Sequence, residues 1–185
     1  MASRLFLLAI LFSSSLLAAE VAGVKLEEQI QPGNLVLNGA GLRKRLFFQV
    51  YAIGLYLPKK TADAEEAIAS PGPKRVAIHM LRNVGAAEFS EALAEGIRAN
   101  HSDAEAKALE PRVQELAAIM AEVKEARKGM AISLDFQGKE MQLLVDGKPA
   151  GRPIAGEDFY RALLRIWLGP RPVQDDVKKA LLGGG

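Results

Sequence analysis

Few side chains in this sequence are suited to chemistry. Arg43 stands with Lys44 and Arg45 shortly after Asn38-Gly39-Ala40-Gly41. A guanidinium offers five donors in a planar fork, which a carboxylate or phenolate accepts well. The plainer alternative is an ordinary charge at a strand entrance. Tyr51 and Tyr56 fall in the apolar run Leu46 to Leu57, where a tyrosine usually packs in a core with its hydroxyl satisfied nearby. His79 shares a strand face with Ala77 and Leu81, so it is either a hydrogen-bonded core residue or a metal ligand. His101 follows the end of a helical stretch, where the helix dipole favours a positive imidazole, and it offers less.

Several function classes are excluded. The sequence contains no HExxH, no GxSxG and no phosphate-binding loop; Gly39-Ala40-Gly41 lacks the further glycine and the following helix that dinucleotide binding requires. Cysteine is absent, which removes disulfides, thiolate metal sites and anchoring through a lipidated cysteine. The formal net charge is +2, with no basic footprint for nucleic acid. Carboxylates are numerous, but they sit mainly on polar helix faces.

The N-terminus carries one basic residue, Arg4, then an apolar run from Leu5 to Ala19 that ends in small residues. This is the pattern of a secretory signal peptide over residues 1–19, with cleavage expected near Ala19 or Ala22. The run is shorter than the ~20 apolar residues a spanning helix needs, so no transmembrane span is expected. Residues 20–185 then form one domain, large enough to bury about two-thirds of its unfolded surface without staples. A short leader on a cysteine-free single domain suits a Gram-negative periplasm.

The elements that must position these residues follow from periodicity. Strands are expected from Val24 to Ile30 and from Leu35 to Leu37, then a turn at Asn38 to Gly41, then a strand over Leu46 to Leu57 that is apolar on both faces. Asp63 with Glu66 has capping-box spacing and opens a short helix. Val76, Ile78 and Met80 alternate along a strand. A helix over Ala86 to Asn100 is followed by one opened by Ser102 and Glu105, which Pro111 kinks or divides, giving a helical hairpin or triplet. Met130 to Phe136, Met141 to Val145 and Pro149 to Ile154 form a β meander through the Asp146-Gly147 turn. An amphipathic helix with Phe159, Leu163, Ile166 and Trp167 on its buried side covers Gly156 to Leu168. Strands, a helical middle, a meander and a final helix make an α+β fold, an antiparallel sheet with helices mainly on one face.

The stretch LVLNGAGLRKRLFFQVYAIGLYLP, Leu35 to Pro58, resembles the chalcone isomerase-like family. The resemblance extends to Phe89-Ser90-Glu91, to the helix from Asp103 to Glu110 and to Phe159 to Gly169. It implies an open-faced β sandwich, a large antiparallel sheet under a layer of helices with a ligand cleft between. The family includes isomerases that close a chalcone into a flavanone, and non-catalytic relatives that bind fatty acids, haem or no established ligand. In the enzymes an arginine after the Gly-Ala-Gly segment steadies the phenolate and the developing enolate, and Arg43 occupies that position. The other matched positions differ: Tyr51 replaces a threonine, Phe89 a tyrosine and Gly96 an asparagine.

The resulting expectation is an exported small-molecule binding protein, not an efficient enzyme, in which Arg43, Tyr51, Phe89 and Gly96 line a cleft for an amphipathic carboxylate. An intramolecular lyase of the chalcone isomerase type is the alternative. No cofactor is required; were haem the ligand, His79 would be its iron ligand. Protein isolated from its own host is expected to begin near Glu20 or Gly23 on N-terminal sequencing, and recovery of Met1 or Ala2 would contradict the leader.

Overall fold

The computed structural model describes residues 18–184. Of the expected leader, only Ala18 and Ala19 fall within the described residues. They open a strand β1 (Ala18–Val21), which pairs with β2 (Val24–Glu27). Then come β3 (Gln29–Ile30), β4 (Leu35–Arg45), β5 (Phe48–Leu57), a short helix α1 (Ala64–Ala69) and β6 (Lys74–Met80). A small β7 (Val84–Gly85) leads into α2 (Ala86–Asn100) and α3 (Asp103–Val123), and β8 (Glu125–Ala126) pairs back with β7. The chain ends with β9 (Ala131–Gln137), β10 (Glu140–Val145), β11 (Lys148–Ala155), α4 (Glu157–Leu168) and α5 (Asp175–Leu181).

Seven strands form one antiparallel sheet in the order β11-β10-β9-β6-β5-β4-β3. Alternation decides its faces. Ile53, Leu55, Val76, Ile78, Ile132 and Leu134 point to the helix layer and share its core with Leu116, Phe159 and Leu163. Tyr160 stacks on Phe136 with ring centroids 5.0 Å apart and donates its hydroxyl to Leu134 O at 2.9 Å. On the other face Leu35, Leu37 and Tyr56 pack under Leu26 of the β1–β2 hairpin. The expected α+β open-faced sandwich is therefore the architecture found.

The helix starts lie where the sequence puts them. Asp63 accepts from Glu66 N at 2.7 Å, and Ser102 and Glu105 form a reciprocal capping box. Pro111, expected to kink or divide its helix, sits inside an unbroken α3 of 21 residues. Pro111 and Lys107 one turn earlier are both exposed, so the carbonyl that loses its partner faces solvent, where the loss is small.

Two expectations are corrected. Asn38 to Gly41 is not a turn: β4 runs straight through it, and the chain reverses at Leu46-Phe47 instead. Moreover α5 has no signature in the sequence reading. The two corrections share a cause. A Cβ on Gly39 would lie 2.1 Å from Ala180 O, and one on Gly41 3.2 Å from Ala180 Cβ, because α5 rests directly on β4. These glycines serve close approach, not chain reversal. Asn38, the extra residue of a β-bulge between Leu37 and Gly39, fixes the contact: its buried amide donates to Leu181 O at 2.7 Å and Thr61 O at 3.0 Å and accepts from Thr61 N at 2.7 Å. Gly39→Ala is expected to cost about 2–3 kcal/mol through overpacking. For a domain of this size that is a fall of roughly 4–12 °C in melting temperature. Gly41→Ala, meeting a side chain instead of backbone, should fall less in the same thermal unfolding measurement.

Candidate functional site

Arg43 and Tyr51 are direct cross-strand partners on β4 and β5, so their side chains share the face turned to the helices. Beyond them the register jumps, Lys44 pairing with Gln49, which leaves Val50 as an extra residue on β5. A bulge at that point re-aims the neighbouring side chains. The sheet supplies this pair, α2 brings Phe89, α4 brings Trp167, and the segment before α5 brings Val173. Together with Leu93, Leu116, Ile132 and Ile166 they enclose an apolar chamber of about 130 Å³. Outside it lies a polar recess of about 450 Å³ lined by Arg45, Glu88, Glu91, Glu95 and Arg171. Arg43 borders both spaces.

Hydrogen bonds tie together the polar groups at this boundary. Arg43 Nη1 donates to Lys44 O and to Gln174 Oε1, the latter at 3.2 Å. Gln174 Oε1 also accepts from Lys44 N at 2.9 Å, so one amide holds both the strand end and the guanidinium. No carboxylate pairs with Arg43 among the described residues; nearby Glu88 is taken by Arg45 at 3.2 Å and Arg82 at 2.7 Å. Trp167 Nε1 donates to Tyr51 Oη at 2.9 Å. Burial pushes the Tyr51 phenol up, and the Trp167 hydrogen bond and Arg43 charge offset only part of this. Tyr51 is thus a neutral phenol at physiological pH. Because its oxygen accepts from the indole, its own O–H is left to donate beside the guanidinium.

Of the residues singled out in the sequence, the structure brings Arg43, Tyr51 and Phe89 together and leaves Gly96 out of the chamber. Gly96 borders the outer recess. A Cβ there would lie 2.9 Å from Ile166 Cγ2, so the glycine lets α2 approach α4. His79 is on the opposite sheet face, with Lys25, Glu27, Tyr56 and Arg75 around it. His101 bonds through Nδ1 to Ile97 O at 2.8 Å and closes a helix end. The sequence reading missed Gln174 and the partnership of Trp167 with Tyr51. Trp167 was legible as a buried helix residue, but its partner 116 positions away was not. No group of three or more potential metal-ligating side chains occurs among the described residues, and no helix there is long and apolar enough to cross a membrane.

The sequence pattern of chalcone isomerase-like proteins matches residues 18–183. The chain belongs to the chalcone isomerase-like family. Among curated protein sequences none matches. Among solved structures, a fatty-acid binding protein of Arabidopsis thaliana superposes with a TM-score of 0.69 at 14% identity, covering 86% of this chain and 92% of that one. At that identity the likeness establishes the fold. Arg43 stands in this fold between apolar and aromatic walls on one side and a polar recess on the other.

His79 also generates a test. Burial holds its imidazole below the usual histidine range, and Asp146 only partly opposes this. The charged form is therefore disfavoured in the folded state. Stability from this residue is fully present above the unfolded value of about 6.5 and is lost as pH falls below it, toward the folded value. Thermal unfolding at pH 7.5 and 5.5 is expected to show a larger loss for wild type than for His79→Gln; equal losses would mean His79 does not titrate with folding.

Proposed function

We propose that this protein binds an amphipathic acid, with the carboxylate held by Arg43 and the Tyr51 hydroxyl and the apolar body inside the chamber. The observation that carries this reading is Arg43 itself: a half-buried guanidinium without a carboxylate partner among the described residues, at the boundary of an apolar chamber and a polar recess. A few placed polar groups at the edge of apolar walls is the usual design of a small-molecule site. The fatty-acid binding named for the Arabidopsis relative supports the same chemistry. We further propose that residues 1–19 carry the chain out of the cytoplasm, so that the acid is met in the periplasm.

Size narrows the ligand. At about 130 Å³ the chamber is below the ~300–1,000 Å³ of drug-sized sites. It accepts a ring or a short acyl segment as it stands; a long chain must part α2 from the sheet at Phe89 and Leu93. Haem does not fit this site: neither histidine lines the chamber, and the space is far too small for a macrocycle. Cyclisation of a chalcone has less in its favour: beyond Arg43 and the one O–H that Tyr51 keeps when it accepts from Trp167, Phe89 offers no hydroxyl and Gly96 offers no amide.

Titration of wild type, Arg43→Ala and Arg43→Lys with straight-chain carboxylates of increasing length tests the reading. Charge-assisted hydrogen bonds contribute about 1.5–3 kcal/mol, so Arg43→Ala should bind roughly 10- to 150-fold more weakly. Arg43→Lys should recover only part, since an ammonium cannot form the fork. In wild type each added methylene should contribute about 0.8 kcal/mol until the chamber is full. Melting temperatures should stay near wild type. Equal binding by all three proteins, or rapid Arg43-dependent turnover of a chalcone, would overturn it.

A further inference from the structure

The hairpin of β4 and β5 extends past its neighbours. β6 pairs with β5 only over Tyr51–Tyr56, so the strand ends at Lys44-Arg45 and Phe48-Gln49 pair only with each other. At the tip Leu46 is 86%, Phe47 98% and Phe48 62% exposed, the exposed large apolar side chains of the described residues. Folding accounts for neither their placement nor their type. A two-residue hairpin turn with positive φ at its first central residue favours glycine there, yet here that residue is Leu46, held at φ 54°, a conformation L side chains rarely adopt. A local sequence at odds with both solvation and turn geometry marks a site kept for another purpose.

The surroundings indicate the partner. The ammonium of Lys44 has no ion pair among the described residues, and Arg45 shares Glu88 with Arg82. The same end of the sheet gathers further cations. Leu81 N bonds Val50 O at 2.9 Å, which sets Arg82 next to the hairpin, and Gly129 N bonds Met80 O at 2.8 Å and Lys128 N bonds Asn83 Oδ1 at 2.9 Å, which sets Arg127 and Lys128 at the same sheet end beyond the end of β6. Three side chains on a two-stranded ribbon are far too small for a stable protein interface, which takes about 800 Å² per partner. They are well matched to shallow insertion among lipid headgroups, where apolar burial and attraction of basic residues to anionic lipid act together.

We propose that Leu46, Phe47 and Phe48 insert into the surface of an anionic lipid bilayer, with Lys44 and Arg45 on its headgroups. Arg43, next in the strand, then brings the mouth of the chamber to the membrane. This contact goes beyond the ligand reading and does not depend on it, because its readouts involve no chamber ligand.

The test uses the full chain with vesicles of phosphatidylglycerol and phosphatidylcholine, and with phosphatidylcholine alone. A Phe47→Trp reporter should shift to the blue with anionic vesicles and be quenched by brominated acyl chains; residues 1–17 cannot produce that local signal. Leu46→Gly combined with Phe47→Asn should weaken binding at least tenfold while the melting temperature holds or rises, since glycine suits the positive φ at position 46. Lys44→Glu should weaken binding roughly ten- to thirtyfold on anionic vesicles only. The proposal is overturned by a reporter that stays unshifted, by a double variant that binds like wild type, or by sedimentation showing a tip-dependent dimer in place of vesicle binding.

Discussion

The contact on which the rest of the site depends is the bare approach of α5 to β4. Helices ordinarily meet sheets through interleaved side chains, but here the backbone of Ala180 and Leu181 takes the space where Gly39 would carry a Cβ. That approach brings the start of α5 within reach of the strand end, where Gln174 Oε1 accepts from both Lys44 N and Arg43 Nη1. Lys178 Nζ donating to Gly169 O at 2.8 Å ties the same helix back to the end of α4. The guanidinium is thus oriented by a helix distant in sequence, and any side chain on Gly39 would disturb it without touching it.

A buried and a half-buried cation in this fold, Lys74 and Arg43, have opposite arrangements, and the contrast supports the reading of the site. Lys74 is fully buried and its charge is met inside the molecule: Nζ donates to Ser70 O, lies 3.9 Å from Glu157 Oε1 and sits 5.2 Å above the Phe136 ring. Burial still lowers its pKa, the direction expected of a structural lysine compensated only in part. Arg43 receives two neutral oxygens and no carboxylate among the described residues. A half-buried cation is stable with neutral acceptors, but it gains most from an anion. Lys74 has a carboxylate within the fold, whereas Arg43 has only neutral oxygens among the described residues.

How much was legible in the sequence depended on the range of the interaction. Capping at Asp63 and Ser102, the alternation of β9 and β10 and the buried stripe of α4 are local signals, and each element formed where it was expected. The Asn38 to Gly41 segment misled because glycine has two uses. Sequence alone reports the freedom of its backbone and is silent on the absence of its Cβ, which matters only once a helix from residues 175–181 lies across it. Arg43, Tyr51 and Phe89 were found through a family pattern, which records positions that converge in space. Gln174 lacked both a local signature and a place in that pattern.

The same distinction separates Arg43 from the residues of α2. Arg43 is set by strand register and by α5, so it persists as long as the sheet does. Phe89 and Gly96 lie on α2, whose position is set by its packing on α4. With glycine at 96, Ile166 of α4 sits 2.9 Å from the place of a Cβ, and an asparagine at that position would collide. The helices have therefore closed over the volume that an amide would have occupied. Phe89, on the same helix as Gly96, adds an aromatic wall to the chamber. The chamber beside Arg43 is lined by apolar and aromatic side chains, and such a dry setting strengthens the interaction of a guanidinium with a carboxylate.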